Sequence, residues 1–126
     1  MDSHTILIVE DEQESRESLT ELLELEGFNV VTATNGLEAW EYLHTSHQPC
    51  LIVLDVTMPV MDGRQFRQLQ LKDNELAKIP TVVVSALSAS ATANLGVLKA
   101  FRKPVNFAAL ISVLRDNCGP CDPDAN

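Results

Sequence analysis

The chain has 126 residues, enough for one domain and too few for two. It is 45% hydrophobic, so a sizeable core can form, and its net charge of −9 argues against binding of a nucleic-acid backbone. No apolar run reaches membrane-spanning length, and the start (Met1-Asp2-Ser3-His4) lacks the basic and apolar regions of a signal peptide, so a soluble cytoplasmic protein with no membrane contact is expected.

Residues 5–9, Thr-Ile-Leu-Ile-Val, predict a strand that ends in the acids Glu10, Asp11 and Glu12. A helix should follow from about Glu14, with Leu19, Leu22 and Leu23 on one face, and Glu14, Glu17, Glu21, Glu24 and Glu26 forming a solvated face. Gly27 fits the position just past its end. Residues 28–33 predict a second strand. Asn35 then reads as an N-cap, with Glu38 completing a capping box and Leu37, Trp40 and Leu43 facing inward. Residues 50–54 form a third apolar run. It stops at Asp55, and Pro59 and Gly63 then force the chain through a loop. Such a run reads as a strand buried on both faces, with Asp55 at its carboxyl end.

Residues 64–72 predict a helix with Phe66 and Leu69 inward, and 73–78 a polar connection. Residues 79–84 predict a fourth strand, ending in Ser85. The small-residue segment 88–94 predicts a short, weakly packed helix closed by Gly96. Residues 99–102 predict a brief fifth strand, closed by Lys103-Pro104. Asn106 caps a last helix whose Phe107, Leu110, Ile111 and Leu114 share the i, i+3, i+4, i+7 spacing. Strands alternating with helices imply a single (βα)5 doubly wound α/β domain, with a five-stranded parallel sheet in the flavodoxin-like order 2-1-3-4-5. The domain is expected over 1–118, with 119–126 a flexible tail.

That order sets Glu10, Asp11, Asp55, Ser85 and Lys103 at the carboxyl edge of the sheet, where open α/β folds bind ligands. Clustered carboxylates repel unless a proton or cation lies among them, and hard oxygen ligands suit Mg²⁺. Lys103 offers a point charge and Ser85 a hydroxyl to phosphoryl oxygens, and Asp55 an in-line nucleophile. Alone, each has a plainer reading: Asp55 as a turn cap, Glu10-Asp11 as acids favouring a helix start, Lys103-Pro104 as a strand exit.

The sequence resembles the receiver domain of two-component response regulators over about residues 5–114. The resemblance rests on Ile-Leu-Ile-Val-Glu-Asp-Glu at 6–12, Asp-Val-Thr-Met-Pro-Val-Met-Asp-Gly at 55–63, Val-Val-Val-Ser-Ala at 82–86 and Lys-Pro at 103–104. It implies that Asp55 is the phospho-acceptor, and that Asp11, Asp55 and the Thr57 backbone carbonyl bind Mg²⁺, with Glu10 acting at the metal. It further implies that Lys103 pairs with the phosphoryl group and that Ser85 is the switch hydroxyl. The donor would be a sensor histidine kinase, a histidine phosphotransfer protein or acetyl phosphate. The domain would catalyse only its own phosphorylation and dephosphorylation, and an unknown output partner would read the result. Self-association into a homodimer stays open.

The sequence departs from the family pattern at two places. Ala100 stands where the family has Tyr or Phe, with Phe101 one residue later on the opposite strand face. The Ser85–Lys103 spacing is shorter than usual by about four residues, about one helical turn. Apolar Leu87, at a position that tunes phosphoryl lifetime in the family, cannot position an attacking water, so slow self-dephosphorylation is expected. The competing functions are a pseudo-receiver that only binds partners and an aspartyl-nucleophile phosphohydrolase of the haloacid-dehalogenase kind. The latter needs an acid where Thr57 stands.

The chain has three cysteines and nothing that resembles a disulfide framework. Cys50 reads as a small buried apolar residue. Cys118-Gly-Pro-Cys121 matches the thioredoxin active-site tetrapeptide but follows a helix rather than opening one, so no redox role is assigned to it.

Overall fold

The computed structural model describes residues 5–44, 48–55, 63–85, 97, 99–102 and 105–118, with only the backbone of 63, 64 and 85. The elements are β1 (Thr5–Val9), α1 (Gln13–Leu25), β2 (Asn29–Ala33), α2 (Gly36–Leu43), β3 (Leu51–Asp55), α3 (Gly63–Lys72), a 3-10 turn (Leu76–Lys78), β4 (Thr81–Ser85), β5 (Lys99–Arg102) and α4 (Phe107–Cys118). The strands form one sheet in the order β2-β1-β3-β4-β5, and every pairing is parallel. The expected helix over 88–94 and the tail 119–126 lie outside the described residues.

Strand alternation divides the core into two layers. Ile6, Ile8, Leu51, Val53, Val82 and Val84 face one side, against Leu19 and Leu23 of α1 and Leu110, Ile111 and Leu114 of α4. Leu7, Val9, Ile52 and Leu54 face the other, against Ala39 and Leu43 of α2 and Phe66 of α3. Both faces of β1 and β3 are therefore dry, which is why these strands read as unbroken apolar runs. Among the described residues, no helix is long and apolar enough to cross a membrane.

The helix ends follow local chemistry. Gly27 takes φ 96°, a left-handed conformation that disfavours a side chain. Its N–H donates to Glu24 O (3.1 Å) and the Phe28 N–H to Leu23 O (3.0 Å), the paired bonds of a Schellman motif. The Asn35 side chain accepts from the Glu38 N–H at 2.9 Å. The Glu38 carboxylate returns to the Thr34 N–H (2.7 Å), one residue before the cap, so the expected box is displaced by one position. The Ala109 N–H donates to Asn106 Oδ1 at 3.1 Å, capping α4 as expected.

Three side-chain assignments change. Leu37 and Phe107 are each 42% exposed rather than inward. Because α2 starts at Gly36, the i, i+3, i+7 row that meets the sheet is Gly36, Ala39 and Leu43, with Trp40 half-buried beside it. On α3 the buried residues besides Phe66 are Arg67 and Gln70, whereas Leu69 is only half-buried. The connection over 73–78 contains the 3-10 turn, because Asp73 Oδ1 accepts from the N–H groups of Glu75 and Leu76 and directs Leu76 into the core.

The cysteines also differ from expectation. Cys50 is bonded to Cys118, with Cα atoms 5.9 Å apart across a sequence separation of 68. Cys50 precedes β3 at the amino edge of the sheet, where its N–H donates to Thr5 O (2.8 Å). The last turn of α4 meets it there, within bridging distance. Sequence spacing carries no trace of such a topological meeting.

Candidate functional site

The parallel register delivers the acids to one place. Val9 of β1 lies beside Leu54 of β3, so the next residues, Glu10 and Asp55, leave the sheet side by side. The Glu10 N–H still bonds Ala33 O (3.0 Å), which extends the hold of the sheet by one residue. The Glu10 carboxylate accepts the Glu12 N–H (3.1 Å), turning the chain toward α1. Arg16, on the first turns of α1, reaches back with Nη1 to the carbonyls of Glu10 (3.1 Å) and Asp11 (3.3 Å). Sequence reasoning did not find this brace; the one cation among the acids of α1 was the available signal.

Glu10 and Asp55 are buried, at 2% and 5% exposure, and Asp11 is exposed at the rim. One carboxylate oxygen from each of Glu10, Asp11 and Asp55 lies within 4.8 Å of the others. Three carboxylates this close, two of them out of bulk water, repel one another when charged, and a cation among them would offset that repulsion. Such an all-oxygen donor set, open on the Asp11 side, has the chemistry a hard divalent cation takes.

Ser85 closes β4 one residue past Val84, the register partner of Asp55, and is itself paired with Arg102 of β5. Thr57 and Lys103 lie outside the described residues, and of Ser85 only the backbone is described. The three acids are thus brought together, and the backbone of Ser85 ends on the adjacent strand. A cleft of ≈ 590 Å³ opens beside Glu10, lined also by Ser15, Ser18, Leu19, Val84 and Phe107.

β5 bears out the strand-parity reading. Ala100 pairs with Val83 and is exposed, whereas Phe101 pairs with Val84 and packs on the layer of α1 and α4. Lys99 Nζ lies 6.0 Å from the Phe101 ring centroid. The aromatic ring of this strand is therefore committed to the α1 and α4 side.

Comparison with known proteins agrees with this architecture. The family model described as response regulator receiver domain matches residues 6–115. A transcriptional regulatory protein CpxR homolog from Haemophilus influenzae is 37% identical over 132 residues, covering 96% of this chain and 55% of that protein. The receiver domain of a signal transduction histidine kinase from Syntrophus aciditrophicus superposes with a TM-score of 0.85 at 30% identity, covering 91% of this chain and 89% of that one. Response regulator TrrA from Thermotoga maritima, solved in complex with Mg(2+)-BeF, superposes at 0.78 with 28% identity, covering 89% and 96%. The chain spans about a third to just over half of the length of the first curated relatives it matches. The family match, the sheet order and the acids gathered at its carboxyl edge agree: the chain belongs to the response regulator receiver domains, which are signalling modules of two-component systems and not enzymes in the ordinary sense.

Proposed function

We propose that Asp55 accepts a phosphoryl group and that the charge gained there is the signal. The observation that carries this reading is the meeting of Glu10, Asp11 and Asp55 oxygens within 4.8 Å at the carboxyl edge of the sheet. Asp11, Asp55 and the Thr57 carbonyl would hold Mg²⁺, with Glu10 acting at the metal through water. The ion would offset the acids' repulsion and draw charge from the phosphoryl oxygens. That the related response regulator TrrA was solved in complex with Mg(2+)-BeF supports this assignment.

The step itself is a simple transfer. An Asp55 carboxylate oxygen attacks phosphorus in line, and the bond from phosphorus to a histidine nitrogen of a sensor kinase or phosphotransfer protein breaks. An acyl phosphate forms on Asp55, and the electron pair and a proton end on the imidazole. Lys103 would stabilise a phosphoryl oxygen as a point charge, and the Ser85 hydroxyl would donate to another. With a small donor such as acetyl phosphate the domain would carry out the transfer alone, and water would later hydrolyse the acyl phosphate, releasing inorganic phosphate and restoring the Asp55 carboxylate. An output partner would read the added charge through the faces around it. We place this exchange in the cytoplasm, where a sensor kinase would meet it.

Acetyl phosphate and Mg²⁺, followed by intact mass measurement of the wild type and Asp55→Asn, test the assignment. A stable gain of one phosphoryl group that Asp55→Asn abolishes is expected. Absence of any modification would point to a pseudo-receiver, and steady turnover of many phosphoesters to a hydrolase.

A further inference from the structure

We propose that Cys50 and Cys118 form a reversible redox site. The pair passes between a disulfide and a folded dithiol by exchange with a small thiol such as glutathione, and its state decides whether the last turn of α4 is locked to the residue preceding β3.

Contacts that involve neither sulfur seat both ends of the bond. The Cys50 N–H donates to Thr5 O (2.8 Å), and β3 is then paired on both sides, with β1 and with β4. Leu110, Ile111 and Leu114 bury the inner face of α4, and Arg115 pairs with Glu26. The two Cα atoms stand 5.9 Å apart, inside the range of about 4.4–6.8 Å that a disulfide spans. Closing the bond therefore asks for no rearrangement of the backbone.

The opened pair also has a place in the fold. Both cysteines pack at the margin of the apolar layer between the sheet, α1 and α4, where a free thiol behaves as a small apolar group. Small domains depend on disulfides where the core is too thin to hold them, whereas here both faces of the sheet are packed. Each cysteine is only half-buried, so an attacking thiolate can reach it.

The exchange runs in two balanced steps. A small thiolate attacks Cys118 Sγ, the bond from Cys118 to Cys50 breaks, and the electron pair leaves on Cys50, which takes up a proton. Attack at this sulfur sends the charge away from the helix end, where the dipole disfavours it. A second small thiolate attacks the small-molecule sulfur of the mixed disulfide, and the electron pair leaves on Cys118, which is protonated in turn. The protein gains two electrons and two protons, and the two small thiols leave as one small disulfide. Oxidation reverses the same steps.

The consequence is mechanical. Closed, the bond spans a sequence separation of 68 that includes Asp55, β4 and β5, and it removes extended conformations from the unfolded chain. Opened, the turn beyond Leu114 keeps the Arg115–Glu26 pairing and the bond from Asn117 Nδ2 to Val113 O (2.8 Å), and it can fray. Redox state is thus read at the end of α4, at the opposite edge of the sheet from Asp55.

The test uses the full chain, as wild type and as Cys121→Ser, which removes the third thiol. Each is brought to equilibrium from the oxidised and from the reduced side, at stepped ratios of oxidised to reduced glutathione and without denaturant. Samples are quenched in acid, alkylated and mapped by mass spectrometry without reductant. In both proteins the peptide joining Cys50 to Cys118 should rise with the ratio, with one midpoint from either side. Circular dichroism should keep its shape throughout, and the oxidised form should melt about 10 °C higher than the reduced form. Amide exchange over 115–118 should be about ten-fold slower in the oxidised form. Cys50→Ala and Cys118→Ala, each in the Cys121→Ser background, should fold and melt at one temperature with or without reductant. Absence of the Cys50–Cys118 peptide at every ratio, a link that millimolar thiol leaves intact in the native protein, or loss of the fold on reduction would each overturn the proposal.

Discussion

Gln70 carries an amide into a region that excludes water completely, at 0% exposure. Its Nε2 donates to the carbonyls of Leu76 (2.9 Å) and Ile79 (3.2 Å), and its Oε1 accepts from Arg67 Nη1 (2.8 Å). Arg67 also donates to the buried Thr81 hydroxyl at 3.2 Å, and burial lowers its pKa from the ordinary arginine range without neutralising it. These bonds fasten α3 and the 3-10 turn to the start of β4. Gln70→Leu fills similar space but removes one hydrogen bond each from two carbonyls and from the Arg67 guanidinium. It should cost about 2–3 kcal/mol in urea unfolding, and a loss under about 0.5 kcal/mol would show that the amide is dispensable. A second residue-scale expectation concerns Leu87. If Asp55 is the acceptor, Leu87→Glu should speed loss of the phosphoryl group, read by intact mass over time. A rate that barely changes would remove Leu87 as the cause of a long lifetime.

At the scale of elements, helix ends decide how the chain returns to the sheet. Gly27, at φ 96°, closes α1 and brings Phe28 back against Leu23 in the same core cluster. Gly27→Ala should cost about 1 kcal/mol and Gly27→Asn less, because asparagine tolerates the left-handed region better. Equal costs for both, measured by thermal or urea unfolding, would place the penalty elsewhere than in the backbone. The start of α2 gives a pH-dependent case. The Thr34 backbone N–H on its carboxylate holds Glu38 below the ordinary glutamate range. A lowered folded value means that this contribution is present above the unfolded value and is lost as pH falls through the folded one. The stability gap between wild type and Glu38→Gln should therefore be full near neutral pH and close below about pH 4. A constant gap across that range would exclude the carboxylate as its source. The strands, the Gly27 stop and the Asn35 and Asn106 caps were legible because each depends on chemistry within a few residues of chain. The inward turn of Arg67 and Gln70 was not, because Gln70 takes its partners from the 3-10 turn and β4, and spacing along α3 favoured Leu69 instead.

For the whole molecule, topology converts separate strand-end acids into one charged site. Glu10 and Asp11 follow β1, Asp55 ends β3, and only the adjacency of those two strands places their oxygens within 4.8 Å. The alternation of strands and helices was enough to infer that adjacency, so the acids were legible as a group. The Arg16 brace and the Cys50–Cys118 bond depend on how separate segments meet and left no periodic trace. Gathering the acids also links metal to folding: a cation that binds the folded arrangement, and not the dispersed unfolded acids, must stabilise the fold by mass action. If Mg²⁺ occupies this site, raising it to 100 times its dissociation constant should add about 2.7 kcal/mol and lift Tm by several degrees. Asp11→Asn removes a proposed ligand at the exposed rim and relieves repulsion among the three acids. That variant should melt somewhat higher than wild type without metal and show a markedly smaller rise with it. Matched melting curves over a Mg²⁺ series, with ionic strength held constant by potassium chloride, separate specific binding from general screening. An equal rise in both proteins would place the ion elsewhere. No rise in either would remove Mg²⁺ from the unphosphorylated site.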